Sequence, residues 1–448
     1  MTRWIADVAV LGAGMAGLTA GASAAEQGAT VVVLERGAEV GGSAAFSGGF
    51  IWTKSQQPDR DVADISGTSD LALEMRSGFP NLITWFQSLG VLRSGSHEPA
   101  TFYEAAGHSV DLPGYFSRCV ELINGTGGRI VFGADTSRLV FDRRVLGCTG
   151  SVDGQPFELD AHVTVLATGG FQASAQLRAR YLANGAEDLL VRSNPHSRGT
   201  GLELGQQVGA GLSAEMGGFY GHLIASPVSE FGPGDFMPLA QLQANRALLL
   251  DRTGHRFIDE SEGHSPAASL LLDLPHRRAL LVGDATTRDA GRQPPAPNME
   301  EIDQLVAGRG RGCRTVQTMT LQELATAVAP WGYDSIAVAR SIGTFNPGPS
   351  ALVASGIPRT RTYAPIQDPP FFAIEVQPAI TFTYGGLRID RDARVLRPDG
   401  APIPGLLAAG ADAGGVHTDE YLGGLAAAAV FGHRAARSAR QDLALSAD

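Results

Sequence analysis

The string Gly12-Ala13-Gly14-Met15-Ala16-Gly17 constrains this chain more than any other feature. It follows the apolar run Asp7–Leu11, which reads as a strand, and leads into Leu18–Gln27, which reads as a helix; Thr30–Leu34 is a second, β-branched run. In a strand–turn–helix unit Gly12 makes the tight turn, Gly14 lets backbone N–H groups approach a pyrophosphate, and Gly17 lets the helix pack closely on the strand. Glu35 ends the second run 18 residues past Gly17, where a carboxylate can accept hydrogen bonds from ribose hydroxyls. The spacing therefore predicts a βαβ dinucleotide-binding unit in which Met15, Ala16 and Arg36 adjoin the cofactor. It does not choose between the common dinucleotides.

The rest of the chain is read around that unit. Asp61–Leu89 and Tyr115–Asn124 have helical patterns, and Arg129–Phe132 is strand-like. Arg138–Asp142, Val145–Val152 and Gln155–Leu159 look like an antiparallel meander, followed by a buried strand at His162–Ala167. From about residue 216 to 375 the order is less regular and prolines cluster at 294, 295, 297, 347 and 349, so an inserted cap is expected. Gly386–Val395 reads as strand and turn, Gly405–Ala409 as a buried strand and Gly423–Ser438 as a helix. A length of 448 residues favours two domains.

Composition excludes several function classes. The net charge of −11 argues against nucleic acid or anionic membrane as partner, and the short basic stretch Arg309–Arg314 reads as an exposed turn. Cys119, Cys148 and Cys313 form no C-x-x-C pair, so neither a disulfide framework nor a metal site is indicated. No apolar stretch approaches the roughly 20 residues that span a bilayer, and no signal peptide is visible, so a cytoplasmic protein is expected.

Three further glycine clusters decide the cofactor. They are Gly41-Gly42-Ser43-Ala44-Ala45-Phe46-Ser47-Gly48-Gly49, then Ala167-Thr168-Gly169-Gly170, and finally Pro404 to Gly410 with Ala411 and Asp412, followed by Gly414-Gly415-Val416-His417 and Leu422-Gly423-Gly424-Leu425. With the first motif, these resemble the fumarate reductase and 3-ketosteroid dehydrogenase superfamily of flavoproteins, including its tricarballylate dehydrogenase-like members. Gly254–Glu260 is the one familial string in the middle. The resemblance implies FAD, with the loops passing along its pyrophosphate, ribityl chain and isoalloxazine. It implies an α/β, Rossmann-like three-layer FAD-binding domain, residues 1–215 and 376–448, split by an α+β cap at 216–375. Ala44, Ala45 and Phe46 leave no histidine for covalent attachment, so the FAD is expected to be dissociable. A glycine pair opening a helix offers N–H groups and a positive dipole end to a reduced flavin.

The substrate side departs from the fumarate reductases, which grip a dicarboxylate with arginines and a histidine because buried carboxylates need charge-assisted partners. The family's histidine position holds Phe382, and an arginine position holds Tyr421. The proton-donating arginine is missing from Ser261–Ser265, where His264 is the nearest substitute, among residues that favour a solvated loop. A tyrosine before the glycine pair resembles instead the ketosteroid dehydrogenases, where a phenol and a backbone N–H polarise a ketone. Tyr421 is the leading catalytic candidate and Tyr384 the second; His417 and Glu420 are nearby titratable groups read as structural or surface residues. The expected activity is hydride transfer between flavin and a carbon–carbon bond next to a carbonyl of a neutral small molecule, by desaturation or ene reduction. The alternatives are a polycarboxylate dehydrogenase, which would bring Arg246, Arg252 or Arg340 to the flavin, and an inactive flavoprotein that acts as a binding partner. No second G-x-G-x-x-G follows a strand, so an external electron donor or acceptor is expected.

Overall fold

A computed structural model of the chain describes residues 1–54, 69–96, 98, 105–292, 294, 300–354, 356–418 and 421–447. Strand β1 (Thr2–Leu11) occupies the middle of an eight-stranded sheet. Its last four residues, Val8 to Leu11, are buried, as a strand covered on both faces requires. After the Gly12 turn comes helix α1 (Met15–Glu26), then strand β2 (Val31–Leu34), parallel to β1 with Leu11 opposite Leu34. On the other side of β1 lies Gln155–Leu166, also parallel, with Leu11 opposite Leu166.

Next to Gln155–Leu166 runs Pro402–Ala408, parallel to it, so both ends of the chain build one sheet. The carboxyl-terminal helix Gly424–Ala447 lies along α1; a Cβ on its Gly432 would stand 2.6 Å from the Ala16 carbonyl oxygen. A second, six-stranded sheet is organised on Phe371–Thr383, which pairs with Phe219–Ala225, Ala279–Gly283, Thr315–Thr318 and Leu190–Val191. Among the described residues no helix is long and apolar enough to cross a membrane.

Several elements differ from the sequence expectation. Gln155–Leu159 and His162–Ala167 are one strand, because Asp160 to His162 alternate in burial and hold neither glycine nor proline to break it. Within Gly386–Val395 only Arg394 and Val395 belong to a strand, Arg394–Leu396; Leu387 and Ile389 make isolated bridges. The second sheet begins with Leu190–Val191, before residue 216, and its central strand runs past residue 375 to Thr383. The helix read over Asp61–Leu89 is described from Asp70, with Ser69 capping it through the Ala72 N–H; residues 61–68, 295 and 297 lie outside the described residues.

Gly17 shows how tight the α1–β1 crossing is: a Cβ there would lie 1.9 Å from the Gly12 carbonyl oxygen. Gly17→Ala should cost about 1–3 kcal/mol through overpacking, read as a lowered midpoint in thermal unfolding. An unchanged midpoint would show that the helix can back away freely.

Candidate active site

The first glycine turn is held by specific hydrogen bonds. Gly12 adopts φ +102°, a conformation that favours glycine, and its N–H donates to the Leu34 carbonyl at 2.8 Å. Glu35 accepts the Ala13 N–H on one carboxylate oxygen and the Gly37 N–H on the other, both at 2.7 Å. It is therefore locked at the end of β2 with lone pairs to spare. Gly14 leaves open space: its nearest neighbour would be 3.9 Å from an added Cβ. The second loop is tied in by Gly41, whose N–H donates to the Ala13 carbonyl at 2.8 Å, and by Ser43 Oγ, which accepts the Asn194 N–H at 3.2 Å. Arg36 pairs with Asp135 and donates to Thr200 Oγ1 at 3.0 Å.

One cavity is lined by Gly12, Gly14, Met15, Ala16, Glu35, Arg36, Gly42, Ser43, Ser47, Gly48, Ala167, Thr168, Gly169, Gly410, Ala411, Gly424 and Leu425. Gly17, Gly41, Gly49, Asp412 and Gly423 do not line that cavity. Gly423, at φ +104°, lets the start of the last helix pass Trp52, whose carbonyl oxygen would be 2.2 Å from an added Cβ. Asp412 is buried, accepts from the Thr168 backbone N–H, from Thr168 Oγ1 at 3.1 Å and from the Gly170 N–H at 3.2 Å, and so holds the third loop. Burial raises its carboxyl pKa, and those hydrogen bonds oppose the rise.

The same cavity ends against aromatic residues. Tyr421 stacks on Tyr220 with ring centroids 3.6 Å apart and meets Trp52 edge-on at 5.3 Å and Phe382 at 5.9 Å. Its Oη accepts the Gly424 N–H at 2.9 Å, which leaves the hydroxyl proton available to a ligand. Burial pushes this phenol up to about 12, so it stays neutral. Tyr384 is buried outside the lining, 5.3 Å from the His417 ring. His417 lines the cavity, its Nδ1 accepts the Leu422 N–H at 3.2 Å, and burial lowers it to about 3.

His264 is not on a solvated loop. It is buried as the first residue of the helix His264–Leu270 and stacks on His222 at 4.3 Å; packing of that helix against the strand Phe219–Ala225 overrides the loop-forming character of its neighbours. His222, not His264, reaches the cavity wall. Arg246 and Arg340 are exposed, and Arg252 faces Glu375 at 3.9 Å; none of the three lines the cavity. Glu420 lies outside the described residues. His222, Phe236 and Arg192, all in the wall, are not singled out by the sequence; Trp52, also in the wall, ends a loop from Gly42 that resembles the ketosteroid dehydrogenases, and Tyr220 is a tyrosine to which the resemblance gives no role. The signal for Tyr220, His222 and Arg192 is their place in or beside strands of the second sheet, which irregular element order obscures.

A family model described as "FAD binding domain" matches residues 7–426. A urocanate reductase of Eggerthella lenta is 25% identical over 95% of this chain and 72% of that protein. A fumarate reductase (cytochrome) of Shewanella frigidimarina is 26% identical over 93% of this chain and 74% of its own. The structure of a 3-ketosteroid Δ1-dehydrogenase from Sterolibacterium denitrificans has the same fold, with a TM-score of 0.75 at 19% identity, covering 98% of this chain and 99% of that one.

The residues present suit FAD. Besides the glycine cradle, the wall carries buried polar atoms with no protein partner, Gln172 Oε1, His196 Nδ1 and Thr383 Oγ1, such as a polar cofactor would satisfy. Asp412→Ala should release the Thr168–Gly170 loop and weaken FAD binding at least about tenfold, the scale of one lost charge-assisted hydrogen bond. Fluorimetric FAD titration of the apoprotein checks this, and an unaltered affinity would remove Asp412 from the cradle.

Proposed function

The chain belongs to the FAD binding domain family and is an FAD-dependent oxidoreductase that acts on carbon–carbon bonds, and we propose that its substrate presents that bond next to a carbonyl held by Tyr421. Bound FAD supplies the hydride acceptor or donor. The observation that carries the reading is the Gly424 N–H donated to Tyr421 Oη at 2.9 Å. That bond polarises the phenol from behind and leaves its own proton for the carbonyl oxygen, where negative charge gathers as the bond is desaturated or reduced. The last helix begins at Gly424, so its positive dipole end favours the same charge.

Phe382 and Tyr421 in place of a histidine and an arginine speak against a dicarboxylate at this end of the cavity, as does the placement of Arg246, Arg252 and Arg340 away from it. Trp52, Phe236 and Leu242 favour an apolar molecular body, as in a ketosteroid-like substrate. In this reading the sheet that both chain ends build binds FAD, and the sheet organised on Phe371–Thr383 closes over the substrate. His222 and His264 are held neutral by burial and by the nearby Arg192 charge, His264 at about 3, so neither replaces a cationic proton donor. Electrons reach or leave the flavin through an external carrier.

Tyr421→Phe removes one proton donor while keeping the ring stack. It should lower kcat about 100- to 1000-fold with FAD still bound, measured anaerobically as the rate at which cyclic ketones bleach the flavin. Bleaching by polycarboxylates alone would favour the dicarboxylate enzymes, and an unchanged rate in Tyr421→Phe would dismiss its role.

A further inference from the structure

Arg192 is a charge that the proposed reaction leaves unexplained. It directly follows the short strand Leu190–Val191, is 1% exposed, and lines the cavity. Its Nη1 donates to Thr381 Oγ1 at 3.2 Å and its Nη2 to the Phe236 carbonyl at 2.7 Å, while the guanidinium carbon sits 3.4 Å from the centre of the Phe236 ring. Its Nε has no hydrogen-bond partner.

The other deeply buried arginines are matched differently. Arg256 and Arg359 both pair with Glu260, at 2.7 and 3.3 Å. Arg178 spends its guanidinium on backbone carbonyls, with the charges of Glu187 and Asp188 nearby. Among the described residues Arg192 makes no ion pair with any carboxylate, and its neighbours are neutral: Tyr220 and Tyr421 are phenols with raised pKa values, and His222 and His264 have lowered ones. Burial draws Arg192 down to about 9, still protonated at neutral pH. Arg192 thus puts into the wall a positive charge that no carboxylate among the described residues pairs, an arrangement that is costly unless a ligand supplies the anion.

We propose that Arg192 binds the single carboxylate of an organic-acid substrate whose apolar body lies along Phe236 and Leu242 and whose carbonyl faces Tyr421. The inference rests on the function proposed above and narrows it: the molecule presents an uncharged carbonyl to Tyr421 and a single carboxylate to Arg192, whose charge is near enough to act on the Tyr421 phenol. Phe382 and Tyr421 at the expected carboxylate-gripping positions, beside this one cation, account for one acidic group rather than two. A guanidinium fork, with Nε still open, suits a planar carboxylate.

The test compares two ligands of nearly the same shape, the anionic 4-acetylbenzoate and the neutral 4-acetylbenzamide, titrated into the FAD-loaded protein at neutral pH by calorimetry. The acid should bind at least about tenfold more tightly than the amide, as expected for charge-assisted hydrogen bonds to a buried cation. Arg192→Met should abolish that preference while leaving the amide within about twofold, and Arg192→Lys should restore part of it. Equal affinities in the unmodified protein, no binding of either probe, or equal losses for both in Arg192→Met would overturn the assignment. The last pattern is also what a guanidinium serving only the cofactor would produce. Because no turnover is involved, a carboxylate preference in a protein that reduces or desaturates no conjugated carbonyl would keep Arg192 and discard the reaction.

Discussion

The buried carboxylate of Asp412 joins the two ends of this chain. It lies just beyond Pro402–Ala408, and its hydrogen bonds go to the loop that follows Gln155–Leu166, the neighbouring parallel strand. Thr168 passes the tie onward, since its Oγ1 also accepts the Gly201 N–H at 2.8 Å. A carboxylate buried in this way is tolerated because three donors converge on it. The same contacts bring the Gly410–Ala411 turn and the start of the last helix to the first glycine turn. Together with the parallel pairing of Pro402–Ala408 on Gln155–Leu166, that tie lets glycine loops from opposite ends of the sequence share a cavity.

Beyond the cradle the chemistry changes character. The dinucleotide side is backbone N–H groups and small residues, whereas the far wall is aromatic, with phenols and imidazoles that burial keeps uncharged. Neutral donors polarise a carbonyl without attracting a strongly hydrated ion, and the start of the Gly424 helix backs one of them directly. Arg192 is the exception, and its isolation among neutral groups gives its charge an unusually long reach in a medium of low dielectric.

Most of the cradle was legible in sequence because its requirements are local. Gly12, Gly14 and Gly17 need fixed spacing within one turn, and Glu35 lies a helix and a strand away, so a linear string encodes them. The wall was less legible. Tyr421 could be read because it abuts a glycine pair, but Tyr220, His222 and Arg192 meet it only through pairing of short strands with Phe371–Thr383, a strand 13 residues long that contains Pro378. His264 looked solvated for the same reason: Ser, Glu and Gly set a local preference that packing against Phe219–Ala225 overrode. The strand break read between Leu159 and His162 failed because an aspartate and a histidine do not end a strand that β1 pairs with from Phe157 to Ala161 and from Val163 to Leu166.

The most direct measurement is reoxidation of the chemically reduced holoenzyme, mixed without oxygen with pairs of compounds that carry the same carbon–carbon double bond with and without an adjoining carbonyl. The account predicts that the flavin absorbance returns only with the conjugated member of each pair. Reoxidation by the isolated alkenes, or by neither member while dicarboxylates succeed, would contradict it.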